Sequence, residues 1–582
     1  MGLFDFRLLS FIGIKIPPKA PWKKYYSKNK MKIDLEDENI YQFLTKKIES
    51  NNWYGNTAIT YFNRKITYRK LLDEIDKCAD KFIALGINRY DIVSILSANV
   101  PEAIIAFYAL NKIGAVSNML HPLLSQNEIK DALNLYESKY LLSLDTSLKN
   151  VDSIIKDTKV SKVIVLSPSI SMDLITKIGY KFVSKKKYKV INKDMYISWN
   201  KFMKTNNIDY ELNINFKKDD PAVIFQSGGT TGSPKGIVLS QGNMNAATIS
   251  AINVVPEVNE KDKILGIMPI FHGFGLEVSI NTVLSFGAEI VLIPLFQANK
   301  FHNYLKKYRP SILIGVPTLF EALTKNENMD NVDLSNLKYV ISGGDSLSKE
   351  KVEKINKFLR EHGSSTKLTQ GYGLTEAVSA VCLDLKHNSR PGTIGIPWPG
   401  VYIGIFEPNT DNRLPYNEEG EICVCGPVVM LGYYNNEAET NIALRHHSDG
   451  NIWLHTGDIG SMDGNGFVTY KQRLKRMIVS SGFNVYPAQI EEVLESHEMI
   501  EAASVVGIPH PYKMEVPKAF IVLKKGYKFN EETKKELIKY CKKNLSIYSV
   551  PKEFEVLDKL PKTIIGKVDF NKLKEKDRKE RK

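Results

Sequence analysis

The sequence predicts an α/β protein: a large N-terminal domain of layered α/β sheets with a small β-rich subdomain, followed by a small C-terminal α/β domain. Three patterns lead there. Helical and strand-like runs alternate over most of the chain, short strands with Gly, Asn and Asp turns replace helices between Pro399 and Tyr470, and the alternation restarts after Arg473. A chain of 582 residues is also too long for one hydrophobic core, so at least two domains are expected.

From Thr67 to Leu85, Leu71, Ile75, Ala79, Phe82 and Leu85 recur at helical spacing, and Gly86 follows as a C-cap. Asp91–Leu96 then reads as a strand and Glu102–Ile113 as the next helix. The apolar runs Ser161–Leu166, Pro221–Phe225, Ala288–Ile293, Ser311–Val316 and Tyr339–Ser342 repeat the strand pattern. After Arg473 a helix is predicted over Pro487–His497, strands near Ala503–Ile508 and Ala519–Leu523, and a helix over Glu531–Leu545. These make a compact domain of about 110 residues. The tail Leu573–Lys582 is almost entirely charged and is predicted to be disordered.

Apolar residues make up 43% of the chain and aromatic ones 10%, enough to fill large cores. The net charge of +14, from 79 basic against 65 acidic residues, suits anionic ligands or an anionic surface. The basic residues are dispersed, without a dense basic helix or an aromatic-interleaved groove, so nucleic acid is not an expected partner. Cys78, Cys382, Cys423, Cys425 and Cys541 show no CxxC spacing, which argues against a disulfide framework or structural zinc and favours a reducing, cytoplasmic setting. Cys423 and Cys425 alternate in an apolar run and are expected on one face of a strand. The best membrane-spanning candidate, Ala103–Leu120, is broken by Asn111, Lys112 and Asn118. The N-terminus lacks the early positive region of a signal peptide and has Phe6 where myristoylation needs Ser or Thr, so neither export nor a lipid anchor is expected. Lys177–Lys189 mixes Ile178, Tyr180, Phe182 and Val183 with six lysines, which reads either as a solvated connection or as a peripheral contact with an anionic membrane.

The densest chemical signal is Ser227-Gly228-Gly229-Thr230-Thr231-Gly232-Ser233-Pro234-Lys235-Gly236, directly after the strand Pro221–Phe225. Its glycines let backbone N–H groups curl around an oxyanion, so it reads as a loop for triphosphate. It is not the loop of P-loop NTPases, because Lys235 stands between Pro234 and Gly236 rather than before Ser or Thr. Gly371-Tyr372-Gly373-Leu374-Thr375-Glu376 sets a ring, a hydroxyl and a carboxylate in one turn. Trp453-Leu454-His455-Thr456-Gly457-Asp458 ends in an acceptor-only carboxylate that suits two hydroxyl donors. Gln472-Arg473-Leu474-Lys475-Arg476, Ser481-Gly482-Phe483-Asn484-Val485-Tyr486-Pro487 and Leu560-Pro561-Lys562-Thr563-Ile564-Ile565-Gly566-Lys567 follow.

In order and spacing, from about Ile40 to Val568, these segments resemble the signatures of the adenylate-forming superfamily, which includes acyl-CoA synthetases, luciferases and peptide-synthetase adenylation domains. The resemblance is nearest to long-chain and related acyl-CoA synthetases. It implies that Ser227, Gly228, Gly229, Thr230, Thr231 and Gly232 hold the ATP phosphates with Lys235 as loop support, and that Gly343 and Gly344 lie against adenine. Gly371 opens the next nucleotide-binding turn, where the resemblance has Tyr372 stacking on adenine, Thr375 meeting the α-phosphate and Glu376 holding Mg²⁺. It gives Asp458 the ribose hydroxyls, Arg473 the ribose and phosphate, Lys475 the hinge, Gly482 the pantetheine channel of CoA and Lys567 the catalytic ammonium. Gln472 and Arg476 depart from the glycine and the acidic residue commoner at their positions.

The implied reaction joins a carboxylate and ATP into acyl-AMP and pyrophosphate, after which CoA displaces AMP. Two anions must meet in line, so Mg²⁺ on Glu376, the loop N–H groups and the Lys567 ammonium are expected to offset their repulsion, with no protein nucleophile. The small domain is expected to be mobile and to rotate about Lys475 between the half-reactions. The corresponding limits are an N-terminal extension over residues 1–39, a large domain over 40–472, a hinge over 473–476, a small domain over 477–571 and a charged tail over 572–582.

Phe271-His272-Gly273-Phe274 resembles the loop beside the acyl pocket, with His272 near the carboxylate or the channel mouth. Acetate-type relatives close that pocket with a tryptophan where this chain has Gly373, so a longer, medium- or long-chain fatty acid is expected. Gly343-Gly344-Asp345-Ser346-Leu347 is similar to a carrier protein's phosphopantetheine site, but it sits inside the large domain between a strand and a helix, so Ser346 is not read as a carrier serine. Two other readings stay open: an adenylating enzyme that loads an acyl-carrier protein or activates an aryl or amino acid, and a non-catalytic acyl- or nucleotide-binding protein. The presence of Lys567 and Glu376 weighs against the second.

Overall fold

The computed structural model describes residues 18–183, 188, 190, 193–205, 214–226, 235–384, 389–480, 483–510, 514–563 and 568–581. Among them, two large and mainly parallel sheets form the body of the protein. The nine-stranded sheet runs from Ile396–Pro397 through Cys382–Leu383, Leu368–Tyr372, Tyr339–Ser342, Ile312–Gly315, Lys263–Gly266, Glu289–Leu292 and Thr57–Tyr61 to Arg64–Thr67. The eight-stranded sheet runs from Gly432–Tyr433 through Gly236–Ser240, Pro221–Gln226, Val116–Leu120, Ile92–Leu96, Tyr140–Leu144 and Lys162–Leu166 to Tyr196–Ser198. Parallel strands covered on both faces demand unbroken apolar runs, and Val116–Leu120 and Ile312–Gly315 are buried throughout.

The helices follow from the same physics. Tyr68–Ala84 buries Leu71, Ile75, Ala79 and Phe82 along one face, starts where the Thr67 side chain accepts the Lys70 N–H, and is followed by Gly86 at φ 84°. Pro101–Lys112 is buried on nearly every side and is correspondingly apolar apart from Glu102, Asn111 and Lys112. No described helix is long and apolar enough to cross a membrane.

Between residues 402 and 473 the chain forms the expected β-rich subdomain, with Tyr402–Phe406, Gly420–Cys425, Ile452–Met462 and Leu444–His446 in one sheet and Val468–Arg473 paired to Ile452–Met462. Cys423 and Cys425 lie on Gly420–Cys425, and all five cysteines are free and buried. The small domain is built on the long hairpin Ile500–His510 and Met514–Leu523, flanked by Ile478–Ser480, Phe483–Val485 and, in parallel, Glu553–Val556.

The C-terminal segment corrects the expectation of a disordered charged tail. Phe570–Glu580 is a helix whose first turn is capped by the Asp569 side chain, which accepts the Lys572 N–H. Leu573 is buried in the small domain's apolar cluster with Val506, Phe520 and Leu560. The buried Asp577 carboxylate sits 2.9 Å from the Lys518 ammonium, which also meets Glu555 at 2.8 Å. Leu573, the buried Lys518–Asp577 pair and flanking pairs such as Lys576–Glu555 hold this charged helix, so the small domain continues past residue 571.

Candidate active site

A cleft of about 3750 Å³ is lined by residues of the large domain, the β-rich subdomain and the small domain. Val316, Gly343, Gly344 and Gly373, which follow the carboxyl ends of three parallel strands, open onto it, the usual place for a ligand crevice in such sheets. Ser227, Gly228, Gly229, Thr230, Thr231, Gly232, Gly482 and Lys567 lie outside the described residues. The ends of the glycine-rich loop are nevertheless placed: Gln226 and Gly236 are paired across an antiparallel hairpin, and Gln226 and Lys235 line the cleft. Lys562, Thr563 and Val568, which flank residues 564–567, line it as well.

The turn after Leu368–Tyr372 gathers several of the anticipated groups. Tyr372 is buried and its hydroxyl donates to Asp458 Oδ2 at 2.7 Å. Burial, then the Asp458 carboxylate, pushes the Tyr372 phenol well up, so the proton stays on tyrosine. Asp458 and Arg473 are partners across the Ile452–Met462 and Val468–Arg473 ladder, which brings Arg473 Nε to 2.9 Å from Asp458 Oδ1. The Tyr470 ring lies 6.1 Å from that of Tyr372.

Glu376 sits in the single turn Thr375–Ala377 and faces the cleft. Its Oε1 accepts the Tyr433 hydroxyl at 3.0 Å. The face of Tyr433 in turn lies 5.0 Å from Lys235 Nζ, and Lys235 pairs with Glu439 at 2.5 Å. Gly432–Tyr433 is hydrogen-bonded to Gly236–Ser240, so the strand leaving the glycine-rich loop carries the partner of Glu376 as its neighbour.

Two glycines weld this turn to the loop at His272. A Cβ on Gly373 would stand 1.5 Å from the Ser379 carbonyl oxygen and 2.7 Å from Ala380 Cα, and one on Gly273 would stand 2.1 Å from the Val378 carbonyl oxygen. The missing side chain at 373 is therefore filled by backbone rather than left as space for an acyl group, which corrects the inference drawn from its small size. Val378 itself holds φ 65°, a costly conformation for a β-branched residue. His272 lines the cleft with its ring 4.9 Å from that of Phe271. Gly343 donates its N–H to the Gly315 carbonyl at 3.0 Å, and Gly344 holds φ 83° at the start of the next turn.

The segment 473–476 is tied at both ends to different bodies. Arg473 pairs with Asp458 of the β-rich sheet, whereas Arg476 reaches Glu491 at 2.6 Å and stacks 3.6 Å over the Phe570 ring in the small domain. Lys475 lies between them in the turn Leu474–Arg476, exposed. Gln472 is buried with neither side-chain amide atom hydrogen-bonded among the described residues.

Three supporting residues were not anticipated. Tyr433 and Tyr470 offered no pattern in the sequence. Glu421 did: it is a carboxylate within the apolar run Gly420–Cys425, spaced by two from Cys423. Its Oε2 accepts from His455 Nδ1 at 2.8 Å and its Oε1 accepts the Gly457 N–H at 2.9 Å, fixing the turn that presents Asp458. Burial opposes its charge, yet the His455 hydrogen bond and charge hold its carboxyl below the usual range.

Residues 48–434 match the AMP-binding enzyme family and residues 489–567 match the AMP-binding enzyme C-terminal domain. The match, with the fold and the cleft, makes this an AMP-forming acid–CoA ligase. The chain belongs to the AMP-binding enzyme family. It is 32% identical to a long-chain-fatty-acid–CoA ligase of Bacillus subtilis, over 96% of this chain and 98% of that protein. It is 28% identical to a probable 4-coumarate–CoA ligase of Dictyostelium discoideum, over 96% and 98%. Among solved structures, o-succinylbenzoate CoA synthetase of Bacillus subtilis in complex with its acyl-adenylate intermediate superimposes with a TM-score of 0.74 at 26% identity, covering 93% of this chain and 99% of that one.

Proposed function

We propose that this ligase activates a medium- or long-chain fatty acid, forming acyl-AMP and pyrophosphate from ATP and then acyl-CoA and AMP. The observation that carries the substrate class is the wall of the cleft built by helix Gln241–Val254 and the segment Phe274–Ser285. Its lining residues Ala251, Val254, Phe274, Val278 and Val283 are apolar, as are Val255 and Val258 beyond the helix and Phe286 beyond the segment, with Thr282 the polar residue among them. Such a wall stabilises a hydrocarbon chain by about 0.8 kcal/mol per buried methylene. The 32% identical long-chain-fatty-acid–CoA ligase supports the same reading.

In this reading Ser227–Gly232 cradle the phosphates, with Lys235 held back by Glu439 and Tyr433 as support for the loop. Gly343, Gly344 and Tyr372 border the adenine, Thr375 meets the α-phosphate, and Asp458 with Arg473 takes the ribose. Glu376 is the ligand for Mg²⁺, which fits a cleft-facing carboxylate with one oxygen steadied by Tyr433. The metal supplies charge neutralisation for the phosphates. Lys567 contributes the ammonium to acyl-AMP formation, Gly482 gives passage to the CoA arm, and the turn 473–476 is the hinge between large and small domains.

The test is AMP release with CoA across laurate, palmitate, 4-coumarate, benzoate and malonate. A kcat/KM highest for laurate or palmitate supports the assignment; a maximum for 4-coumarate or benzoate replaces it with an aryl-acid ligase.

A further inference from the structure

His447 is a buried histidine whose side chain has one polar tie. It stands just past the strand Leu444–His446, in a turn closed by its own N–H to the Asn451 carbonyl at 3.0 Å and by the Gly450 N–H to its carbonyl at 3.0 Å. Its ring lies edge-on to Phe406 at 4.6 Å and 6.0 Å from the ring of Trp453. Phenylalanine would serve those contacts as well. What imidazole adds is Nε2, 2.9 Å from Nε2 of His455, while Nδ1 has no hydrogen-bond partner among the described residues.

That contact is the outer end of a path to the nucleotide site. Leu444–His446 and Gly420–Cys425 pair with opposite edges of Ile452–Met462, which sets His455 between His447 and Glu421. Glu421 is ionised and can only accept, so His455 Nδ1 carries the hydrogen of the 2.8 Å bond to its Oε2. Two N–H groups cannot face each other, so the Nε2 pair shares one hydrogen, and breaking that pair leaves a buried nitrogen of His455 unmatched. The other Glu421 oxygen accepts the Gly457 N–H at 2.9 Å, where the backbone turns through φ 68° into Asp458. Glu421, His447, His455 and Asp458 are all buried, so each of these bonds acts at low dielectric. His447 fixes the His455 ring, His455 fixes the plane of the carboxylate, and the carboxylate holds the turn.

We propose that His447 is a positioning residue for ATP, acting through His455 and Glu421 to hold Asp458 where it meets the ribose hydroxyls. The inference rests on the reading of Asp458 as the ribose ligand, and it does not depend on which acid the enzyme activates. Glu421, His455, Gly457 and Asp458 line the cleft and His447 does not, so its effect on a nucleotide has to pass through them. A side chain that only filled space behind the sheet would affect every nucleotide alike. One that aims Asp458 changes the worth of the ribose hydroxyls alone.

The test is calorimetric binding of ATP and of 2′,3′-dideoxyATP, with Mg²⁺ and without acid or CoA, to the full-length protein and to its variants His447→Phe, His447→Gln and Asp458→Asn. The wild type should bind ATP at least about tenfold more tightly than the dideoxy nucleotide, because a carboxylate accepts both hydroxyls. His447→Phe should lose about tenfold for ATP and little for dideoxyATP, and His447→Gln, which returns an amide N–H toward His455, should recover most of the difference. Asp458→Asn should shrink the ratio in the same way. A wild-type ratio in His447→Phe, an equal loss for both nucleotides, or a His447→Gln that behaves like His447→Phe overturns the proposal. If Asp458→Asn loses the ratio while His447→Phe keeps it, the path from His447 alone fails; if Asp458→Asn keeps it, the ribose reading fails and the proposal falls with it. Should His447→Phe not fold, His455→Phe breaks the same path and carries the same comparison.

Discussion

Gly373→Ala separates two accounts of the turn beside the nucleotide site. If residue 373 merely sets how much room an acyl chain has, alanine should trim the preferred chain length and leave everything else intact. The structure gives a different expectation, because the added Cβ falls 1.5 Å from the Ser379 carbonyl oxygen and 2.4 Å from its carbon. Non-bonded contact needs about 3.5 Å, so the two backbone segments must part by about 2 Å. Overpacking of this kind costs about 1–3 kcal/mol of stability. It also moves Tyr372 and the Thr375–Ala377 turn, and a displacement of about 1 Å at reacting groups costs on the order of 10²-fold in rate. The assay is pyrophosphate release with short and long acids, beside a thermal melt. A lowered melting point with a loss of about 10²-fold for every acid is expected. An unchanged melting point with wild-type rates on short acids would refute the reasoning and return residue 373 to the acyl pocket.

Three further outcomes follow from named contacts. Asp458→Asn removes the charge paired with Arg473 and weakens the acceptor for Tyr372, so KM for ATP should rise about tenfold or more while the acid's KM changes little; initial rates at varied ATP check this. Gln472→Met replaces an unpaired buried amide with an apolar chain of similar shape and should stabilise the fold by about 1–2 kcal/mol, read by denaturant midpoint. Glu277 is fully buried, accepting from Thr248, Asn281 and Thr282, and burial raises its carboxyl from 4.5 to about 7. Between those values the folded state holds a proton that the unfolded chain has released, so stability falls as pH rises from 4.5 to 7, by about 3 kcal/mol for this group. Glu102 is raised by burial over the same window, so Glu277→Gln should flatten the fall by about half; an undiminished slope in pH-dependent melts contradicts the assignment.

Much of the architecture was legible because burial imposes period. The helix at Tyr68–Ala84 and the strands at Ile92–Leu96 and Ile312–Gly315 each appear in the sequence as the pattern their surroundings require. The order of strands within each sheet was not legible, since pairings such as Thr57–Tyr61 with Glu289–Leu292 join segments far apart in the chain. The C-terminal helix was missed because its anchors are a single buried leucine and ion pairs to distant residues, and composition counts only the charges. At the site, recurrent glycines and carboxylates marked Tyr372, Glu376 and Asp458. The support of Glu376, Tyr433, was hidden, because a single hydrogen bond from a distant strand leaves no spacing to read, whereas Glu421 stood out as a carboxylate in an apolar run without showing which turn it braces. Gly373 shows the converse: its identity was plain, but the carbonyl that requires it lies six residues on, in a fold-back no local pattern announces.

The most direct measurement of the central claim is the product balance with palmitate, ATP and CoA, followed by chromatography of nucleotides and thioesters together. AMP, pyrophosphate and palmitoyl-CoA forming one for one, with no ADP, is the predicted result. Release of ADP and phosphate, or AMP formation that neither palmitate nor any other carboxylic acid elicits, would contradict it.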